Sequence, residues 1–144
     1  MSIQATYDPD NIFAKIIRGE MPCVKLYEDE NVLAFMDVFP QSEGHCLVVH
    51  KKAKATNLFD IGADDLNALT IVMQKIGQAV ADGLSPDGIR IAQFNGEPAG
   101  QTVFHLHFHI IPVYERSKLG RHASGGPVDG AILEPVAEKI RVKL

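Results

Sequence analysis

The chain of 144 residues contains no tryptophan and only two cysteines, Cys23 and Cys46. Two thiols cannot build a disulfide framework, so a stapled secreted scaffold is excluded and both read as small apolar side chains. No apolar run approaches the ~18 residues that would suggest a membrane span. The opening MSIQATYDPD lacks the basic and apolar regions of a secretory leader. The expectation is a cytoplasmic protein with no membrane partner. Positive charge is also short: 14 Lys and Arg stand against 18 Asp and Glu, a net charge of −4. That balance argues against a nucleic-acid-binding surface, so any phosphate must be held by a local site rather than by the field of the whole molecule. Internal repeats, low-complexity tracts and dividing linkers are absent too. With 46% hydrophobic and 22% charged residues, residues 1–144 are expected to form a single domain with a sizeable core.

What is present is strongly periodic. DNIFAKIIRGEMP reads as a short helix, capped by Asp10 or Asn11, striped by Ile12, Phe13, Ile16 and Ile17, and stopped by Gly19 and Pro22. Two short strands follow at about 24–28 and 31–38, joined by the acidic turn Glu28-Asp29-Glu30-Asn31, and a third strand at GHCLVVHK. Their close spacing favours antiparallel pairing. A long helix is expected over about 63–83, where Leu66, Leu69, Met73, Ile76 and Val80 share one face. Asp64 and Asp65 suit its first turn and Gly83 its end. GIRIAQF (88–94) is a fourth strand, and a short helix is expected at 131–142. The class is α+β.

The fifth strand carries the chemistry. In TVFHLHFHIIPV, His105, His107 and His109 occupy alternate positions, so one strand face is a row of imidazoles and the other is Phe104, Leu106, Phe108 and Ile110. Such a row does not make a metal site by itself. At about 3.3 Å per residue, His105 and His109 lie roughly 13 Å apart along a straight strand, too far to share one zinc. No C-x-x-C or H-E-x-x-H supplies further ligands. Nucleophilic catalysis suits the spacing better, because neighbouring rings about 6–7 Å apart can touch an electrophile and its leaving group together. The preceding loop NGEPAGQ offers close backbone approach at Gly96 and Gly100, and donors from Asn95, Gln101 and Thr102.

NGEPAGQTVFHLHFHIIP resembles the signature of the histidine triad (HIT) proteins, His-φ-His-φ-His-φ-φ with φ apolar, met by His105 to Ile111. NIFAKIIRGEMP and YEDENVLAFMDVFPQSEGHCLVV extend the resemblance to the nucleoside phosphoramidase branch and its bacterial relatives. It covers roughly residues 11–115, leaving 116–144 as a C-terminal extension. The resemblance implies a HIT-like fold with a five-stranded antiparallel sheet, one long and one short helix, and a homodimer whose sheets join. It also implies a purine nucleotide substrate cleaved through a nucleotidyl-histidine intermediate. His107 then matches the nucleophile, His109 the residue on the phosphate and leaving-group side, and His105 the supporting histidine, with His45 as its expected partner. Asn95, Gln101 and Thr102, with the Gly100 backbone, match the phosphate loop. Asp37 matches the acid on the ribose hydroxyls, and Ile12, Phe13, Ile16, Phe35 and Val38 the walls around the base.

Many bacterial members of that branch hold a structural zinc. Here its two cysteine positions are Asn11 and Ala14, a histidine position is Ala53, and only His105 remains. No zinc or other cofactor is therefore expected. His50, beside Lys51 and Lys52, reads as a surface residue, and His122 as part of a polar loop without a role. The leading expectation is a hydrolase of purine nucleoside 5'-phosphoramidates or adenylylated compounds. The alternatives are a dinucleoside polyphosphate hydrolase, a nucleotide-binding sensor or scaffold, and a histidine-based metal binder.

Overall fold

Chain order in the computed structural model, which describes residue 3 and residues 5–120 and 126–144, follows the sequence periodicities closely. The elements are α1 (Ile12–Ile17), β1 (Lys25–Glu28), β2 (Val32–Met36), β3 (Cys46–His50), α2 (Ala63–Leu84), β4 (Gly88–Ala92), a 3-10 turn at Glu97–Ala99, β5 (His107–Val113) and α3 (Gly130–Arg141). The five strands form one antiparallel sheet in the order β1-β2-β3-β5-β4. This is the α+β architecture read from the sequence. His122 lies outside the described residues.

Alternation along β2 and β3 sorts their side chains between two clusters. Val32, Ala34, Met36, Cys46 and Val48 face α2, where they meet Leu69, Ile76 and Val80. Leu33, Phe35, Leu47 and Val49 face the other way and are covered by Phe13 from α1. Asn11 positions that helix, because its Oδ1 accepts the Ala14 N–H at 2.9 Å as an N-cap. The strand β5 adds Ile110 to the first face, fully buried. Each such aliphatic side chain contributes roughly 1.5–3 kcal/mol by leaving water.

The helix expected at 131–142 forms as α3, and it packs on the core: Leu133, Ala137 and Ile140 are buried in the same cluster as α2 and the sheet. Its approach also explains Gly83, which does not end α2. The helix runs through Gly83 to Leu84 and is closed by Ser85 in the left-handed region, φ 49°. A Cβ on Gly83 would lie 2.3 Å from the Lys139 carbonyl oxygen, so the missing side chain is what lets α3 pack against α2.

Candidate active site

The antiparallel register places the histidines. Val49 pairs with His107 and Leu47 with His109, so both imidazoles stand on the α1 side of the sheet, the face that also carries Phe13 and Phe35. His105 precedes the ladder; the chain there is held by the Leu106 N–H on the Ala55 carbonyl, 2.9 Å. All three rings are almost completely buried, His105 at 2%, His107 at 6% and His109 at 3% exposure. Phe13 meets the His107 ring edge-on with centroids 4.9 Å apart, and His109 lies 4.9 Å away on the other side.

The hydrogen bonds assign a tautomer to each ring. His107 Nδ1 lies 2.7 Å from the His105 carbonyl oxygen and donates to it, so in the neutral tautomer the lone pair is on Nε2. His45 Nδ1 accepts the Gln41 backbone N–H at 2.9 Å, which puts the His45 proton on Nε2. That Nε2 is 2.9 Å from His109 Nδ1, so His45 donates and His109 holds its own proton on Nε2. His105 Nε2 lies 3.2 Å from the His50 carbonyl oxygen and donates to it, while its Nδ1 accepts the Tyr7 hydroxyl at 2.9 Å. Burial pushes the His105 pKa down to about 4, so the ring is neutral at pH 7. In neutral rings these bonds leave the His107 lone pair and the His109 proton each on Nε2.

Asp37 joins the far end of this chain. Its Oδ1 accepts the Phe39 N–H at 2.8 Å and its Oδ2 is 3.3 Å from His45 Nε2, with 4% of the residue exposed. Ligand atoms of Asp37, His45 and His109 lie within 4.8 Å of one another, the cluster among the described residues whose donors are close enough to hold a metal ion.

The loop before β5 is built from its own side chains. Gln101 accepts the Gly96 N–H at 2.8 Å and donates to the Thr56 and Val103 carbonyls at 2.6 and 3.1 Å. Asn95 Oδ1 accepts the Leu58 N–H at 3.0 Å. Gly96 and Gly100 both adopt positive φ, 94° and 108°, a conformation that favours glycine. Thr102 is exposed at the end of the loop.

Against this geometry the comparisons with known proteins are decisive. The HIT domain family profile matches residues 18–116. The chain belongs to the HIT family. A solved HIT-like protein from Bartonella henselae is 46% identical, with a TM-score of 0.88 over 96% of this chain and all of that one. A zinc-bound HIT protein from Mycobacterium smegmatis is 32% identical, TM-score 0.79, over 93% and 92%. Among curated relatives, adenosine 5'-monophosphoramidase hnt1 of Schizosaccharomyces pombe is 38% identical across 92% of this chain and 97% of its own length. Adenylylsulfatase HINT3 of Arabidopsis thaliana is 39% identical across 80% of this chain and 58% of its own.

The fold brings some of the residues singled out in the sequence together and keeps others apart. His45, His105, His107 and His109 converge, but His45 does not support His105. Leu47 opposite His109 leaves His45 diagonal to His109 and far along the ladder from His105, so its partner is His109. His50 is not at the surface: it is 2% exposed, with Nδ1 accepting the Lys52 and Ala53 N–H groups at 3.0 and 2.9 Å and Nε2 3.2 Å from Asp65. Phe13 and Phe35 pack together near His107. Ile16 packs beside them, while Ile12 is 44% exposed. Val38 is not brought to the histidine face: alternation past Asp37 turns it toward the α2 core. Tyr7 was missed by sequence reasoning, since a tyrosine in a polar N-terminal segment carries no periodic signal.

Proposed function

We propose that this HIT protein is a nucleotide hydrolase that cleaves purine nucleoside 5'-phosphoramidates or related adenylylated compounds to the nucleoside monophosphate, through a nucleotide bound covalently to His107. The observation that carries the reading is the 2.7 Å contact between His107 Nδ1 and the His105 carbonyl, which directs the lone pair to Nε2. A neutral imidazole so oriented is a competent nucleophile near pH 7. The names of the fission-yeast and Arabidopsis relatives, a monophosphoramidase and an adenylylsulfatase, support an adenylyl group as the common part of the substrate.

In this scheme His107 Nε2 attacks the α-phosphorus, forming a P–N bond as the bond to the leaving group breaks. The leaving group departs with that electron pair, and the Nε2–H of His109 faces the charge that develops there. The His105 carbonyl stabilises the positive ring of the intermediate through its bond to Nδ1–H. Water then attacks phosphorus and the electron pair returns to His107. Overall, water supplies OH to phosphorus and H to the leaving group. Gly100 and Thr102 are the phosphate-loop groups whose backbone and hydroxyl serve the anionic oxygens, with Gln101 and Asn95 holding that loop in shape. Asp37 faces the ribose, and Phe13, Ile16 and Phe35 line the base.

The reading extends to a cytoplasmic homodimer joined along β4. This strand is one of the sheet's two edges, Ile91 on it is 47% exposed, and Ile71 of the adjacent α2 is 59% exposed. The two flank a cavity of about 570 Å³, and an apolar edge of this kind invites pairing with a second copy. The test is AMP release from adenosine 5'-phosphoramidate, with diadenosine tetraphosphate in parallel. Turnover of the phosphoramidate at the faster rate is expected; faster polyphosphate cleavage moves the assignment to that class, and AMP binding without turnover of either makes the protein a nucleotide sensor.

A further inference from the structure

The positions that the family resemblance assigns to a structural zinc, Asn11, Ala14, Ala53 and His105, do not offer one a donor set here. Asn11 has its amide committed, Oδ1 to the Ala14 N–H and Nδ2 to the Asp8 carbonyl at 2.8 Å. Ala14 and Ala53 have no donor atom in their side chains, and both ring nitrogens of His105 are engaged, by Tyr7 and by the His50 carbonyl. A tetrahedral zinc needs four donors; this set does not fit one. Ala14 and Ala53 instead line a cavity of about 230 Å³ together with Tyr7. Among the described residues, the cavity's other lining includes Arg18, Lys51, Lys52 and Lys54 and no carboxylate, so it offers a cation no anionic ligand, although Arg18, Lys51 and Lys52 are themselves paired with Asp10 and Glu20, Glu28 and Glu30.

We propose that Tyr7 is a positioning residue, whose hydroxyl on His105 Nδ1 anchors the entrance of the histidine strand without a metal and so fixes the carbonyl that sets the tautomer of His107. The anchor reaches the nucleophile in two steps. Tyr7 O–H on Nδ1 leaves the His105 proton on Nε2, which then donates to the His50 carbonyl at the end of β3. With its ring held from both sides, His105 presents its carbonyl oxygen to His107 Nδ1 at 2.7 Å. The Tyr7 and His105 rings also touch, with centroids 5.6 Å apart. The N-terminal arm is docked a second time, where Asn57 Nδ2 donates to the Ile3 carbonyl at 2.6 Å, and Ile3 lies against Gly96 of the phosphate loop. One segment thus braces both parts of the site.

The inference rests on the hydrolase reading, so its test includes a readout that needs no substrate. Tyr7→Phe keeps the ring and its packing while removing the bond to His105. Imidazole ¹H–¹⁵N spectra of wild type and variant report the His105 tautomer, steady-state AMP release reports kcat and KM, and elemental analysis reports bound metal. A changed His105 nitrogen signature with kcat reduced about ten-fold and KM nearly constant is expected, because the loss falls on the reacting geometry rather than on binding. An unchanged signature overturns the anchor, whatever the activity. A changed signature with unaltered kcat overturns the positioning role, and stoichiometric zinc whose removal shifts the His105 signal overturns the metal-free account. If wild type turns over neither substrate, the hydrolase reading fails while the spectra still decide the anchor.

Discussion

At the residue scale, the histidines differ by what their carbonyl and nitrogen neighbours require of them, although the sequence repeats one residue type. His105 is the clearest case, held neutral by burial, which pushes its pKa from the ordinary 6.5 down to about 4. Between those values the unfolded chain binds a proton that the folded one refuses, so stability rises with pH from about 4 to 6.5 and is lost as pH falls. Relative to His105→Asn, wild type should lose roughly 3 kcal/mol more on acidification across this window. Parallel denaturant melts at both ends would show it; identical losses in the two proteins contradict it. Alternation announced which rings share a face. It could not announce that His45 serves His109, because that follows from the β3–β5 register, a relation between segments more than fifty residues apart in sequence. Asn95, Gln101 and Tyr7 were similarly opaque, since a polar side chain's partner lies wherever the fold brings a backbone group to it.

At the element scale, apolar periodicity and punctuation sufficed for α1, α2 and the first four strands to within a few residues, while the histidine strand read over 102–113 joins the ladder only at His107, which leaves His105 before it. What failed was the meaning of Gly83. A glycine near a helix end reads as a stop, yet its function is set by α3, an element whose docking the sequence does not display. Gly83→Ala must displace the Lys139 carbonyl, 2.3 Å from the new Cβ. We expect a loss of about 1–3 kcal/mol in denaturant unfolding, the usual cost of forcing atoms into a packed contact. The higher helix propensity of alanine opposes this by under about 1 kcal/mol. A net gain in stability would mean that α3 yields easily and is not part of the cooperative core.

At the scale of the whole molecule, one sheet separates two jobs. The face under α2 and α3 holds the fold together, and the face under α1 carries the histidines; alternation revealed this only in β5, since β2 and β3 are apolar on both faces. That β1 and β4 would be the two edges was not recoverable, since strand order depends on which strands pair. The proposed dimer along β4 predicts that Ile91→Glu, a charge on an exposed apolar edge, converts a dimer to a monomer in light scattering without unfolding it. A wild type that is already monomeric at micromolar concentration, or a variant that remains dimeric, contradicts joining at this edge. Cys46, fully buried with its thiol pKa pushed up by desolvation, should stay unalkylated in either state of assembly, and rapid labelling under native conditions would show that the core opens.

The central claim is that His107 Nε2 bonds to phosphorus. Its most direct measurement is rapid acid- or base-quench of wild type and His107→Ala during turnover of adenosine 5'-phosphoramidate, followed by mass spectrometry of the peptide spanning His105 to His109. The account predicts a transient adenylyl adduct on His107, with AMP release lowered on the order of a thousand-fold or more in the variant. Turnover in which the adduct sits on another residue, or in which His107→Ala retains wild-type rates, would contradict it.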